Sequence, residues 1–168
     1  MELYLLRHGE AGKRLPATAK DQDRALTAVG RDEILRTGES LAKDGFEFDV
    51  VATSPLRRAR ETASIVNKAL KRKAQVEEWT ELSPEGSRVA LYRRLAKLKP
   101  ESSALCVGHE PYLTTSIGEI IGVGERRGTL RIVLKKGGLA RLSVSRFTPE
   151  ITGELRWLLT PRQIRRLS

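Results

Sequence analysis

The sequence predicts an α/β protein, with a mainly parallel central sheet between helices in a three-layer α/β/α arrangement and antiparallel strands added at one side. Three observations predict it. Short apolar runs at Leu3–Leu6, Val50–Ala52 and Ala104–Val107 have the length of buried strands. Between them lie stretches with helical spacing of apolar residues, so strand and helix alternate over about the first 120 residues. After that the pattern changes to β-rich segments around glycine turns, which suits antiparallel additions.

The first run, Glu2-Leu3-Tyr4-Leu5-Leu6, ends abruptly in Arg7-His8-Gly9-Glu10, so a strand delivers an arginine and a histidine to its carboxyl end. Ligands of open α/β sheets bind at that end. A loop from Glu10 to about Arg24 shows no periodicity and borders the mouth of the site. Thr27 is the expected cap of a helix whose inner face carries Ile34, Gly38, Leu41 and Ala42 and which stops at Gly45. Asp49–Thr53 reads as the second strand, with Ser54 as cap and Pro55 in the first turn of a helix over about 56–70. That helix opens with Arg57, Arg58 and Arg60. Cations are unfavourable at a helix N-terminus, and a bound anion would relieve the conflict.

Residues 74–78 suit a short edge strand and 79–86 a loop. A helix over 87–98 follows, with Val89, Tyr92, Leu95 and Ala96 as its stripe and Pro100 beyond it. Ser103–Val107 is the third strong strand, and Gly108-His109-Glu110-Pro111 is its turn into a helix over 112–121. Gly122–Gly128 is a glycine-rich loop. A hairpin of 129–135 with 139–146 is expected across Lys136-Gly137-Gly138, then a strand over 154–159 and a short basic helix opened by Pro161.

At 168 residues the chain suits a single domain over 1–168. With 39% hydrophobic and 31% charged residues it reads as globular and not disordered. No apolar run approaches a membrane span, no signal-peptide pattern opens the chain, and one cysteine excludes an internal disulfide, so a reducing cytoplasmic setting is expected. Two histidines and one cysteine are poor material for zinc. The net charge of +10 favours anionic partners without choosing among phosphorylated proteins, polyphosphate, nucleic acid and acidic membranes.

Three strand ends therefore converge: Arg7 and His8, then Ser54 with Arg57 and Arg58, then His109. An aimed imidazole among arginines suits phosphoryl transfer, where catalysis is mostly positioning and electrostatics. Two histidines at matching strand ends are hard to explain as packing.

Arg7-His8-Gly9-Glu10 resembles the R-H-G-[ED] signature of the histidine phosphatase superfamily, which includes the phosphoglycerate mutases. Leu26-Thr27-Ala28-Val29-Gly30 resembles its L-T-x-x-G helix start, Ser54 to Ala63 its S-P-x-x-R-A-x-x-T-A element, and Val107–Pro111 its second-histidine turn. The motifs occur in family order over residues 7–111. The small size and lack of a lid-sized insertion look most like the SixA-type phosphohistidine phosphatases.

The resemblance implies a phosphoglycerate mutase-like fold, with His8 as a transiently phosphorylated nucleophile, Arg7 and Arg58 on the phosphoryl oxygens, and His109 donating to the same group. Arg58 is preferred to Arg57 because it holds the arginine position of the motif. Larger members take a general acid from the segment after the third strand, where Glu81 is the nearest match. SixA-type members lack an obvious acid there, and the labile P–N bond of phosphohistidine needs less help than an ester. No cofactor or metal is implied.

The expected substrate is phosphohistidine in a protein. The alternatives are a small phosphomonoester, inorganic polyphosphate, or a non-enzymatic polyanion-binding module. Against the last, aromatics are only 5% and no nucleic-acid-binding signature is present. Cys106 reads as a buried strand residue: a cysteine phosphatase would need arginine where Tyr112 stands. No dinucleotide fingerprint or G-K-[ST] phosphate loop occurs.

Overall fold

Alternation along the first strand sets the layering. In β1 (Glu2–Arg7) side chains point by turns to opposite faces of the sheet. Leu3 and Leu5 enter one core and Tyr4 and Leu6 the other, so both faces of this central strand are covered. The computed structural model describes residues 1–12, 21–71, 75–122 and 131–166.

The chain continues through α1 (Ala28–Lys43), β2 (Val50–Thr53), α2 (Arg57–Ala69), β3 (Glu77–Glu78), α3 (Arg88–Leu95), β4 (Ser103–Gly108) and α4 (Tyr112–Ile120). It ends with β5 (Leu139–Arg146), β6 (Thr152–Leu159) and α5 (Pro161–Ile164). One six-stranded sheet has the order β3-β2-β4-β1-β5-β6. The first four positions are parallel, and β5 and β6 add antiparallel at the β1 side. Ile34, Leu41, Ala59, Ala63 and Val66 of α1 and α2 pack on one face. Leu91 and Leu95 of α3, with Leu113 and Ile117 of α4, pack on the other. The expected three-layer α/β/α architecture is the one observed, and among the described residues no helix is long and apolar enough to cross a membrane.

Thr27 caps α1, its side chain accepting from the Gly30 amide at 3.0 Å. Gly45 ends that helix with φ +73°. Ala42, expected on the inner face, is exposed, and Gly30 and Thr37 are buried instead. Gly30 is required by proximity: a Cβ there would lie 2.2 Å from the Glu10 carbonyl oxygen, so the helix start rests directly on the loop leaving His8. The Thr27 amide donates to the same carbonyl at 2.9 Å.

Several expectations are corrected. The edge strand shortens to β3, and Thr80–Leu82 within the expected loop forms a single 3-10 turn. α3 ends at Leu95 and buries Leu91, Tyr92 and Leu95, while Val89 is 58% exposed and Ala96 lies outside the helix. Ser54 does not cap α2; the cap position is Leu56, with no side-chain bond. Residues 131–138 form no strand, and β5 pairs with β6 instead. The Lys136-Gly137-Gly138 turn is spent elsewhere: the Gly137 amide donates to the Arg7 and His8 carbonyls at 3.0 and 3.1 Å, and the Arg7 amide donates to Gly138 at 3.0 Å. That turn closes over the end of β1 rather than joining two strands. Part of the expected glycine-rich loop (123–128), the start of the expected hairpin (129–130), residues 13–20 of the expected loop and residue 74 of the edge strand lie outside the described residues.

Candidate active site

β1, β4 and β2 are neighbours, and their register brings three carboxyl ends level: Arg7 lies opposite Gly108, and Thr53 opposite Val107. The His8 amide donates to the Gly108 carbonyl at 3.1 Å and the Ser54 amide to the Val107 carbonyl at 3.0 Å, so the ladder runs on into the site. The expected residues Arg7, His8, Arg58 and His109 are brought to this end. The two imidazole centroids lie 5.1 Å apart.

His8 is 7% exposed. Its Nδ1 lies 2.7 Å from the Gly9 carbonyl oxygen. A carbonyl only accepts, so the proton sits on Nδ1 and Nε2 carries the lone pair. Nε2 in turn lies 3.3 Å from Arg58 Nε, which donates to it. Burial pushes the His8 imidazole down from 6.5 to about 4, and the charges of Arg58, Arg7 and Arg24 act in the same direction, while the Gly9 contact opposes them. The ring is neutral at pH 7.

Arg58 is 4% exposed, at the first turn of α2. Its Nη1 donates to the Asp21 carbonyl at 2.9 Å and pairs with the Asp21 carboxylate at 3.0 Å. Arg57 and Arg60 face outward onto Glu61 and Glu78. Arg7 Nη1 donates to the Leu134 carbonyl at 2.8 Å, and its Nε is buried without a partner among the described residues. His109 is 2% exposed; its Nε2 is 2.8 Å from Ser54 Oγ, and its Nδ1 is buried without a partner among the described residues. Burial first, then the neighbouring His8 and arginines, lowers its pKa from 6.5 to about 3.

Glu81 belongs to the Thr80–Leu82 turn and pairs with Arg94 at 3.2 Å. Burial works to raise its pKa, but hydrogen bonds and the Arg94 charge outweigh burial and lower it, so the carboxylate stays ionised. Glu110 shows the opposite balance. Its Oε2 accepts from Thr114 Oγ1 at 2.6 Å, its Oε1 is buried without a partner among the described residues, and burial raises its pKa against the pull of Arg7.

The sequence reasoning missed four contributions. Ser54 positions His109, although its place before Pro55 resembles a cap. Thr62 accepts from the Gly9 amide at 3.1 Å and donates to the Arg58 carbonyl at 2.7 Å, tying the histidine loop to the arginine helix. Asp21 and Arg24 approach from the loop that carries no periodic signal. Glu110 sits beside His109 and was read only as part of a turn. Ser54 and Thr62 had a visible signal, as the serine and threonine of the S-P-x-x-R-A-x-x-T-A element, and Glu110 lies within the second-histidine turn.

The family model for the histidine phosphatase superfamily (branch 1) matches residues 3–83. An uncharacterized protein of Picosynechococcus sp. is 35% identical over 167 residues, covering 96% of this chain and 98% of that protein. The chain belongs to the histidine phosphatase superfamily. A solved structure of the protein histidine phosphatase SixA complexed with tungstate is similar throughout, with a TM-score of 0.83 at 25% identity over 98% of this chain and 99% of that one. The 2,3-bisphosphoglycerate-dependent phosphoglycerate mutase of Bartonella bacilliformis is 44% identical over 64 residues, 36% of this chain and 30% of the mutase. The likeness to that mutase is thus confined to part of each chain. The family and the likeness to SixA support phosphatase chemistry.

Proposed function

We propose that this single-domain histidine phosphatase removes phosphoryl groups from phosphohistidine in proteins, through a phosphorylated His8 and without a metal. The observation that carries the reading is the His8 ring: Nδ1 is tied to the Gly9 carbonyl at 2.7 Å, which leaves Nε2 as a lone pair beside Arg58. Burial keeps that lone pair unprotonated at neutral pH. A neutral, oriented imidazole among fixed cations is what a phosphoryl acceptor requires.

His8 Nε2 attacks phosphorus as the bond to the substrate nitrogen breaks, and the leaving imidazole takes a proton from solvent water. Arg7 and Arg58 hold the equatorial oxygens. Ser54 Oγ accepts from the Leu56 amide at 3.3 Å and lies 2.8 Å from His109 Nε2, and the catalytic tautomer is the one in which its O–H donates to that nitrogen. The His109 proton then sits on Nδ1, the nitrogen without a partner, ready for a phosphoryl oxygen. Removing a donor of this kind typically costs about 3–4 kcal/mol of barrier. Water then attacks phospho-His8, and phosphate leaves with free His8 restored. For substrates whose leaving group needs a proton, Glu110 is better supplied than Glu81, since burial favours its neutral form and Arg94 holds Glu81 ionised.

The test is phosphate release in EDTA from a histidine-phosphorylated phosphocarrier protein, long-chain polyphosphate and p-nitrophenyl phosphate, with His8→Ala as control. Release from the phosphocarrier that is lost in His8→Ala supports the reading. Preference for polyphosphate replaces the substrate. Activity on none of the three, with the protein folded, overturns it and leaves a narrow small-molecule substrate or a polyanion-binding module.

A further inference from the structure

Beside Arg7 lies a cluster of three further cations that the chemistry above leaves unused. A pocket of about 470 Å³ is lined by Arg7, Lys135, Lys136, Arg162, Glu33 and Thr160, among others. Four of these side chains are cationic and one is a carboxylate, and Glu33 is already paired with Arg165 at 3.4 Å. Some cations elsewhere are matched, as in Arg31 and Arg57 with Glu61, Arg88 with Glu119 and Arg141 with Glu2, and others such as Lys43, Lys68 and Arg93 are scattered over the surface. Among the described residues Lys135, Lys136 and Arg162 form no ion pair. What sets these three apart is that they converge on one pocket shared with Arg7.

The backbone that carries the lysines is also fixed relative to the chemistry. Gly137, the next residue, donates its amide to the carbonyls of both Arg7 and His8, and Gly138 accepts from the Arg7 amide. Arg7 Nη1 donates to the Leu134 carbonyl on the other side of the lysine pair. Gly137 has φ +67°, and a Cβ there would meet Pro161 Cγ at 3.1 Å, so the turn is also packed against the start of α5, which carries Arg162. Arg7 belongs to both places: it stands in the candidate active site and lines this pocket.

We propose that the pocket formed by Lys135, Lys136 and Arg162 beside Arg7 is a substrate subsite for a second anion, a carboxylate or phosphate tethered close to the scissile phosphoryl group. The inference rests on the phosphatase reading and narrows it: the substrate carries two neighbouring negative groups, either an acidic side chain beside the phosphorylated one or a second phosphate. Both sources share the chemistry that lysine and arginine recognise.

The test uses three ligands that cannot be hydrolysed: propylphosphonate, its analogue ending in a carboxylate, and its analogue ending in a second phosphonate. Affinities are measured by calorimetry at low salt, where exposed charges are least screened. The proteins are the wild type, the Lys135→Ala/Lys136→Ala double variant and Arg162→Ala. The wild type is expected to bind at least one two-headed analogue more tightly than propylphosphonate. The double variant should lose about tenfold in affinity for that analogue, from two exposed charge contacts, with propylphosphonate unchanged.

A gain with the carboxylate analogue alone assigns an acidic neighbour, and a gain with the diphosphonate alone assigns a second phosphate. A gain with both supports an anion subsite of broad tolerance. Equal binding of all three ligands by the wild type, or equal weakening of all three in the variants, overturns the proposal. Arg162→Ala removes a cation on a different element and guards against a local effect of the double change. Because the readout needs no turnover, failure of the subsite appears in calorimetry, and failure of the phosphatase reading appears in phosphate release.

Discussion

Acidification from pH 7 to pH 5 perturbs the histidine pair in a way that exposed histidines would not. In the unfolded chain His8 titrates near 6.5, whereas burial holds it at about 4 in the native protein. At pH 5 an ordinary imidazole is about 97% protonated and one with a pKa of 4 only about 10%. The unfolded state then binds more protons than the native state, so stability falls as pH falls. Integrated over these two units, His8 contributes a loss of about 2 kcal/mol. His109, held at about 3, contributes a similar loss. Carboxylates such as Glu61 also weaken the fold in acid, so the informative quantity is a difference. Urea unfolding at both pH values, for the wild type and His8→Ala, isolates it. The wild type is expected to lose about 2 kcal/mol more than the variant. Parallel losses would refute the argument, because His8 would then titrate alike in both states and could not be the buried neutral base described. With only two histidines in the chain, the two imidazole C2 proton signals give an independent check: both should remain in the neutral position at pH 5.

Three further outcomes are expected. Gly30→Ala drives a Cβ to 2.2 Å from the Glu10 carbonyl and should cost about 3 kcal/mol, lowering Tm by roughly 10 °C in a thermal scan. Thr62→Val keeps the side-chain shape but strands the buried Gly9 amide, costing about 1–3 kcal/mol in urea unfolding and lowering kcat through a loosened His8 loop. Glu110→Gln should slow hydrolysis of an alkyl phosphate, a poor leaving group, by about a hundredfold while sparing p-nitrophenyl phosphate. Glu81→Gln should change neither beyond about twofold; a loss with Glu81→Gln alone would return the proton donor to that residue.

What could be read from residues in advance was local or repeated. The apolar run before Arg7 is a strand because it must cover both faces of a central position, and Leu3 and Leu5 against Tyr4 and Leu6 do so. The motifs placed the two histidines and chose Arg58 over Arg57, and the structure buries Arg58 while Arg57 pairs with Glu61 at the surface. The misreadings around the site depend on distant partners. Lys136-Gly137-Gly138 carries a hairpin signal whatever it bonds, and its bonds go to Arg7 and His8, about 130 positions away. Ser54 before Pro55 looks like a cap, yet its hydroxyl is taken by His109, 55 positions on. Asp21 reaches Arg58 from a stretch whose sequence has no period to read. Arg94 lowers the Glu81 pKa and burial raises that of Glu110, and neither effect follows from spacing along the chain.

The central claim is a phosphoryl group carried by His8. Mixing the protein with a labelled phosphoryl donor in EDTA, quenching in alkali and mapping the label by peptide mass tests it directly. The account predicts an alkali-stable, acid-labile phosphoryl group on the peptide containing His8, formed and lost at rates that match turnover, and absent in His8→Ala. Turnover with no such species, a label on His109, or phosphate release that persists in folded His8→Ala would contradict it.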